Sequence, residues 1–563
     1  MADQPKELSM EIRLLLALVL MLAVLFGTQY YYAKIAPPPI PAKKAPQPAP
    51  APAPAASKPE VKPPVEPAAV QPARPAAPVA AQAEETLVLD TGVYRITFSN
   101  RGAVVRSWLL KNYRDHSNKP LDVVNSAAAE KAGYPLALVF KNNPSVDLNA
   151  ALYAAKRSDD GLGVEFEFSN TQTTARKSLH FTKNGYLSQI LTEVTENARP
   201  VPHHIAWRAG FGDLTVPSPS VAQHAIYYDA AAGKLVSNEA KVAKEAPVSA
   251  SGVYTFAGVE DTYFTAVFLP PGNGAIEVQT FSDKVATPFH QEEQPFAGAA
   301  VGGEGRNRFS FFLGPKDLDI LKKVNPKLEQ VVDWGWFGFI AQPLFLLVHW
   351  LHDGFVRNWG WSIVVATVLI NFALLPLKLS SMKSMKKMQL LQPQIQVIND
   401  KYKNVGMRDP RKQQQNQEVM ELYNKHGANP MGGCVPMLLQ FPLLLAFYKV
   451  FTIAIELRGA SWLWVGDLSQ AETHMIKVLP IVFIATQFLM SKMSPPTGGD
   501  PTQQKMMQFM PLVFGFMFYG AASGLMLYWL TGNLVAIGQQ WFFNKTATVA
   551  DVAGPVKKKG FRK

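Results

Sequence analysis

The sequence predicts a polytopic α-helical membrane protein of six spans, with a large all-β sandwich-like domain and a helical hairpin on its basic side. Three observations predict this fold class. Apolar runs long enough to cross a bilayer lie near the start and throughout the last part of the chain. Period-2 alternation fills the region between them. Lysine and arginine concentrate in one loop and one tail.

The first apolar run extends from Leu14 to Tyr32. At 1.5 Å per residue it is roughly 28 Å long, close to the thickness of a hydrocarbon core of about 30 Å. The run ends in three tyrosines, which are typical of a membrane interface. These features favour an uncleaved signal anchor in residues 1–33 over a cleaved signal peptide. Residues 34–85, rich in proline and alanine, predict an extended spacer.

Residues 86–316 have the pattern of an antiparallel β domain. Polar and apolar side chains alternate in Val93–Phe98, Val164–Phe168 and Ser178–Thr182. Turn-forming residues such as those of Asp159–Gly161 separate these runs. Short alternating runs with such turns between them predict a sandwich-like sheet domain.

Five further spans are predicted in the last part of the chain, the second within residues 354–378 and the third to sixth within 431–544. Proline lies inside or at the end of several of them, which membrane helices tolerate when neighbours satisfy the freed carbonyls. Their apolar cores are Trp359–Leu377, Met437–Ile455, Met475–Met490, Met506–Ala522 and Leu525–Phe543.

The apolar run Trp334–Leu351 is a competing candidate for a span. It carries Pro343 and His349, and charged residues follow it closely. We interpret residues 317–353 as an interfacial amphipathic segment that leads into the second span. If this segment crossed the membrane, the orientation of everything after it would reverse.

The distribution of charged residues predicts the orientation of the chain in the membrane. The formal net charge is +12, and most of it comes from the Lys378–Pro430 loop and from the tail, residues 545–563. The loop Glu456–His474 has Arg458 as its single Lys or Arg. By the positive-inside rule the basic loop and tail are cytoplasmic. Six spans then put both termini in the cytoplasm and the β domain on the other side.

Residues 379–430 are predicted to form the helical hairpin. Met388, Leu391, Ile395, Ile398 and Tyr402 follow a heptad pattern. After a break, a second helix is predicted over Arg411–Lys425, so that two short helices project from the membrane.

Enzyme chemistry is not predicted. The sequence lacks a Walker loop, a dinucleotide-binding glycine motif and a zinc-protease HExxH motif. The single cysteine, Cys434, can form neither an intramolecular disulfide nor a zinc knuckle. The neighbours His203 and His204 would point to opposite faces of a strand. We therefore expect no catalytic residue, no cofactor and no metal site.

Several polar or amphipathic side chains lie inside the predicted spans. Two interpretations stay open for them: hydrogen bonds between helices, or a polar cavity within the bilayer. The residues are Asn371, Gln440, Gln487, Trp529 and Asn533.

The last part of the chain resembles the bacterial YidC-type membrane protein insertases. The resemblance rests on Asn429–Pro442, on Ile455–Arg458, on Lys492–Pro495 and above all on Asp500–Asn533, DPTQQKMMQFMPLVFGFMFYGAASGLMLYWLTGN. With the anchor, β domain and basic tail it covers essentially the whole chain. The β domain and spacer resemble the Gram-negative form, which implies an inner-membrane protein whose β domain is periplasmic.

This resemblance implies a hydrophilic groove that receives polar segments of nascent membrane proteins. It also implies contacts with the bilayer, the ribosome, the Sec translocon and the signal recognition particle receptor. Asn371 stands where the family usually has an arginine, which removes a positive charge from that position. We nevertheless expect Asn371→Arg to be tolerated. The implied groove residues are Asn371, Gln440, Gln487, Trp529 and Asn533.

Two further sets of residues follow from the resemblance. The hairpin corresponds to the family element that contacts substrate, here with Met382, Met385, Met388, Lys383, Lys386 and Lys387. The tail resembles tails that contact ribosomes, where cations would suit RNA phosphates, although a simple topology signal is an equal interpretation. Its residues are Lys557, Lys558, Lys559, Arg562 and Lys563.

Two other classes of function would leave different features in the sequence. A small-molecule transporter would show inverted repeats with broken helices at matching positions, and no such repeat is visible. A membrane-anchored, glycan-binding envelope protein would need a cleft in the β domain. Loss of function on deleting most of the β domain would favour the glycan-binding class, and retained function the insertase.

Overall fold

The computed structural model describes residues 78–546 except 116, 217–222, 273, 288–289, 404–408, 410, 429–434, 494–514 and 516–517. The predicted signal anchor, most of the spacer, most of the span Met506–Ala522 and the cations of the tail from Lys557 onward lie outside the described residues.

The region from 86 to 315 is built from β-strands. The three alternating runs predicted as strands lie mainly within β2, β7 and β8, which confirms them. The strands are β1 Thr86–Asp90, β2 Tyr94–Ser99, β3 Val104–Arg114, β4 Pro120–Asp122, β5 Ala137–Phe140, β6 Ala154–Arg157, β7 Gly163–Ser169, β8 Thr173–Phe181, β9 Leu187–Glu196, β10 Arg199–Pro200, β11 His203–Trp207, β12 His224–Asp229, β13 Lys234–Glu239, β14 Val248–Glu260, β15 Phe264–Leu269, β16 Ala275–Thr287, β17 His290–Glu304 and β18 Arg306–Pro315.

The strands form a four-stranded sheet, β1–β4, and a sheet of fourteen strands. Strand β14 belongs to both halves of the larger sheet, because its first part pairs with β16 and its last part with β15. The two halves pack against each other: the rings of Trp207 and Phe311 are stacked 6.3 Å apart. Trp108 of the small sheet joins the same core, 5.8 Å from Phe311. The domain is therefore sandwich-like.

Helices make up most of the remaining described chain. A short 3₁₀ turn, Ile455–Leu457, follows α8. The helices are α1 Ser126–Ala132, α2 Leu318–Val324, α3 Gly338–Leu351, α4 Trp359–Ala373, α5 Leu375–Leu390, α6 Gln392–Lys401, α7 Arg411–Lys425, α8 Val435–Ile453, α9 Val478–Met493 and α10 Ser523–Thr546.

Two predicted spans have different limits in the structure. The second does not continue straight to Leu377: α4 ends at Ala373, and α5 leaves at an angle of 59°. Pro376 explains the break, since it has no N–H to donate to the preceding turn. Helix α9 begins at Val478 rather than Met475, with Pro480 in its first turn, where proline is tolerated.

By length and composition, one described helical stretch, Gly338–Val356, could cross a membrane, or two stretches if the bent pair α4 and α5 counts as one. This stretch overlaps the segment that we interpreted as interfacial. Within the described residues, Gln440–Ile453 and Val478–Met493 are shorter apolar helices.

Helices α6 and α7 run antiparallel. Near one end Lys401 pairs with Glu418 at 2.6 Å. Toward the other end Leu391 and Tyr423 share a small buried apolar cluster. The heptad pattern is interrupted at Leu391, between α5 and α6, where Pro393 begins a new helix.

Candidate functional site

A cavity of about 110 Å³ lies among helices α4, α5, α8, α9 and α10. Its lining combines amide, indole and aliphatic side chains from all five helices. The structure brings together in this one cavity all the groove residues implied by the resemblance: Asn371, Gln440, Gln487, Trp529 and Asn533.

The amides of the lining also make hydrogen bonds. Asn533 on α10 donates to Oγ1 of Thr486 on α9, at 3.1 Å. Asn371 donates from Nδ2 to the carbonyl of Thr367 one turn earlier, at 2.8 Å. Gln539 donates to the backbone carbonyl of Asn371 at 3.4 Å. The two interpretations of the polar residues are therefore compatible, because Asn533 both links two helices and lines the cavity.

Lys378 is a cavity residue that the sequence interpretation missed, because it was counted with the basic loop. Its Nζ donates a hydrogen bond to Oδ1 of Asn371. No Asp or Glu is found among the described residues of the lining, so the ammonium has no carboxylate counterion there. Asn371 and Lys378 are seven residues apart in the sequence, which is about two helical turns. This spacing, which places two residues on the same side of a helix, could have predicted their proximity.

An apolar layer separates the cavity from the Glu456–His474 loop. Phe447 of α8 stacks on Tyr528 of α10 at 4.0 Å between ring centroids. Phe483 of α9 and Trp529 of α10 lie 4.9 Å apart. Ile363 on α4 is fully buried in the same cluster. Among the described residues, these side chains are closely packed between the cavity and the loop.

The Glu456–His474 loop binds the helix ends beyond this layer. Asn358, just before α4, donates to the carbonyl of Ser461 at 3.1 Å. At the start of α10, Ser523 N–H donates to the carbonyl of Gln470 at 2.7 Å. Trp462 packs on Gly360, where a Cβ would lie 2.3 Å from the indole, so only glycine fits. The loop thus contacts the start of α4 and caps α10.

The six predicted hairpin contacts all lie on α5. Lys383 is exposed, whereas Met382, Met385, Lys386 and Lys387 are half-buried. Met388 differs from the prediction: it is 5 % exposed and packs in the apolar cluster between the hairpin helices. A side chain buried in this way cannot contact substrate unless the helices separate.

Two family profiles match the chain. The profile described as "60Kd inner membrane protein" matches residues 350–550, which include the whole cavity. The profile described as "YidC periplasmic domain" matches residues 86–347, which include the β domain.

One relative matches the β domain and the helical part in a single alignment. A membrane protein insertase YidC from Syntrophus aciditrophicus is 33 % identical over 560 residues, covering 96 % of this chain and all of the relative. The chain belongs to the YidC family of membrane protein insertases. Another YidC, from Campylobacter jejuni, is 41 % identical over 285 residues, which is 48 % of this chain and 52 % of that one.

This YidC-family insertase is accordingly an inner-membrane protein with a periplasmic domain. A solved structure entitled "Active YidC insertase crystal structure with the first transmembrane domain resolved" is 18 % identical to it. The match covers 83 % of this chain and 94 % of that one, with a TM-score of 0.35.

Proposed function

We propose that the cavity receives the polar segment of a nascent membrane protein while the apolar segment enters lipid beside α4 and α10. The main support for this proposal is the composition of the cavity lining. Four amide side chains and one ammonium group line the cavity, next to a packed apolar layer. The proposed action is non-enzymatic and uses no cofactor.

The physical benefit is a lower barrier to crossing. A polar segment in bare hydrocarbon has unsatisfied backbone groups, each costing several kcal/mol. Asn371, Gln440 and Gln487 can hydrogen-bond such groups or the water that accompanies them. The segment then has only the apolar layer left to cross.

The ion pair Arg458–Asp213 supports the proposed orientation of six spans with both termini in the cytoplasm. It joins the Glu456–His474 loop to the β domain, a contact that the proposed orientation allows because it puts both on one side of the membrane. Between them the chain crosses with α4 and returns with α8. A further crossing by α3 would put the loop and the β domain on opposite sides.

The surface of α3 also supports an interfacial position. Phe339 and Trp350 are exposed, while Leu344 and Val348 are buried against the helical core. Large exposed aromatics beside a buried face suit a helix lying at the membrane surface.

The remaining partners are proposed from the resemblance and the charge pattern. The α6–α7 hairpin would meet nascent chains on the cytoplasmic side, with Met382, Met385 and the lysines of α5 near its base. The basic tail would contact ribosomal RNA phosphates. The Sec translocon and the signal recognition particle receptor would deliver a share of the substrates.

Site-specific crosslinking to a ribosome-stalled nascent membrane protein tests the cavity. A photo-crosslinker at Asn371 or Gln440 should capture the polar segment. The matched control is Leu369, which lies on α4 close to Asn371 but is exposed on the outer surface of the helices. Equal capture of the polar segment at Leu369 and Asn371 would show that the cavity is not its binding site.

A further inference from the structure

Thr486 of α9 and Asn533 of α10 form a hydrogen-bonded pair at the wall of the cavity. Nδ2 of Asn533 donates to Oγ1 of Thr486 at 3.1 Å. Both residues are buried, with 8 % of Thr486 and 4 % of Asn533 exposed. Asn533 lines the cavity, whereas Thr486 is not one of the lining residues. The bond therefore ties a residue that can meet a substrate to one that stands behind it.

The hydroxyl proton of Thr486 already has a partner. The hydroxyl donates to the backbone carbonyl of Phe483, three residues earlier on α9, at 2.8 Å. A carbonyl oxygen can only accept a hydrogen bond, and a hydroxyl has a single proton to donate. Toward Asn533, the hydroxyl oxygen of Thr486 can therefore act only as an acceptor.

This constraint fixes which end of the Asn533 amide faces Thr486. A side-chain amide has a donor NH₂ group and an acceptor oxygen, and only the NH₂ group can bond an oxygen that is itself an acceptor. The other end of the amide, Oδ1, has no hydrogen-bond partner among the residues that the structure describes. Asn533 thus has an acceptor left for a group that enters the cavity.

The α4–α5 side of the cavity offers a donor instead. Lys378 lines the cavity, and its ammonium has N–H groups beyond the one that bonds Asn371. Both ends of the Asn371 amide are engaged, because Oδ1 accepts that bond and Nδ2 donates to the carbonyl of Thr367 at 2.8 Å. An extended polypeptide needs a donor and an acceptor together, since each non-proline residue has one C=O and one N–H.

We propose that Oδ1 of Asn533 accepts a backbone N–H of the polar segment, and that Thr486 is the positioning residue that holds the amide in this orientation. This inference rests on the proposed function of the cavity and names the chemical group of the substrate that is bound. Because that group belongs to the backbone, the contact is independent of the side chains that the segment carries.

The experiment removes the N–H from the substrate and the hydroxyl from the insertase separately. In cell-free translation, lactic acid replaces one alanine of the polar segment at a time, which turns one backbone amide into an ester without an N–H. Capture of the stalled chain by a photo-crosslinker at Gln440 is measured with the full-length insertase in nanodiscs. Thr486→Val keeps the shape of threonine and removes the hydroxyl, whereas Thr486→Ser keeps the hydroxyl.

Thr452→Val is the matched control. The hydroxyl of Thr452 on α8 donates to the carbonyl of Lys449, also three residues earlier, at 2.9 Å. Thr452 is not one of the residues that line the cavity. The substitution removes the same kind of local hydrogen bond without touching the Asn533 amide, so capture and its response to the ester should match wild type.

We expect an ester at one or two neighbouring positions to reduce capture by the wild-type chain about threefold, as for one hydrogen bond of average strength between membrane helices. Thr486→Val should reduce capture of the all-amide segment by a similar factor and abolish the response to the ester, because the Asn533 amide is then free to turn. Thr486→Ser should retain both the capture and the response.

Two results would overturn this inference and leave the proposed function standing: a response to the ester that persists in Thr486→Val, or equal capture of amide and ester segments by the wild-type chain. If the wild-type chain captures the all-amide segment no better at Gln440 than at Leu369, the proposed function is wrong and this inference fails with it.

Discussion

Lys378 donates a hydrogen bond from Nζ to Oδ1 of Asn371, across the bend between α4 and α5. Lys378 lines the cavity, although it belongs to the basic stretch in sequence. A cation therefore lies beside Asn371, where the resemblance implied an arginine at position 371 itself. Three predictions concern the cavity, one concerns the Glu456–His474 loop and one concerns the hairpin.

Replacing Lys378 by methionine should slow the insertion of substrates whose polar segment carries acidic residues. We expect a reduction of about tenfold, or about 1.4 kcal/mol, because the lining then has no cation to attract a carboxylate. Protease protection of radiolabelled substrates in proteoliposomes measures it. Lys378→Arg should retain insertion.

The control for this prediction is Lys492→Met, in the last turn of α9 and exposed to solvent. It changes the net charge equally and leaves the cavity intact. If both methionine variants slow insertion alike, the effect of Lys378 is one of general charge and not of the cavity.

Asn371→Leu should impair substrates with polar N-terminal tails more than those with apolar ones. The leucine removes both a polar lining group and the acceptor for Lys378. The ratio of the two insertion rates is the measurement, and an unchanged ratio would mean that Asn371 has a packing role only.

The position of Lys378 changes the expected outcome of Asn371→Arg. The sequence alone predicts that arginine is tolerated at position 371. Beside Lys378 it would bring two cations together in a partly buried site, which is unfavourable. We expect Asn371→Arg alone to insert poorly and Asn371→Arg with Lys378→Met to recover, in the same protease-protection assay.

Glu456→Gln should remove part of the pH dependence of stability. Burial raises the pKa of Glu456 to about 8, with Asp317 and Asp319 adding to the effect. An unfolded glutamate titrates near 4.5, so between these values the folded state binds more protons and its stability falls as pH rises. Above about 8 this contribution is constant.

Thermal unfolding in detergent from pH 5 to 8 measures this difference. The wild-type midpoint should fall relative to the Gln variant as pH rises, because glutamine has no proton to lose. If the unfolding midpoints of the wild type and the Gln variant change in parallel with pH, the prediction is wrong.

Ile395→Ala should loosen the α6–α7 hairpin. Ile395 is 2 % exposed and packs with Met388 and Tyr423, so truncation should cost about 2–5 kcal/mol. Hydrogen exchange of residues 392–425 measures it. Val397→Ala is the control, since Val397 is exposed on the same helix; equal exchange in the two variants would mean that the cluster does not hold the hairpin.

Local patterns were sufficient for much of the fold. The strand β7 and the helix Arg411–Lys425 follow from side-chain periodicity, because a repeat of 2 or of about 3.6 residues reports which face of an element is buried. The amide residues of the cavity could be predicted as candidates, because polar side chains are rare within membrane spans and often functional.

Contacts between distant segments could not be predicted in this way. Arg458 and Asp213 are 245 residues apart, and both look like ordinary charged residues of polar segments. Lys449 lies within an apolar run, and its partner Asp333 lies 116 residues earlier. Met388 was predicted both in the heptad pattern and as a substrate contact, and its burial in one cluster with Tyr423 agrees with the first of these.

Composition, motifs and local periodicity are sufficient to predict the family, the β domain, the apolar helices and the polar groups within them, because each is a property of residues that are neighbours in the chain. The contacts of Lys378 with Asn371 and of Arg458 with Asp213 are visible only in the folded protein. They depend on which side chains meet when distant segments pack, and that packing involves the whole chain.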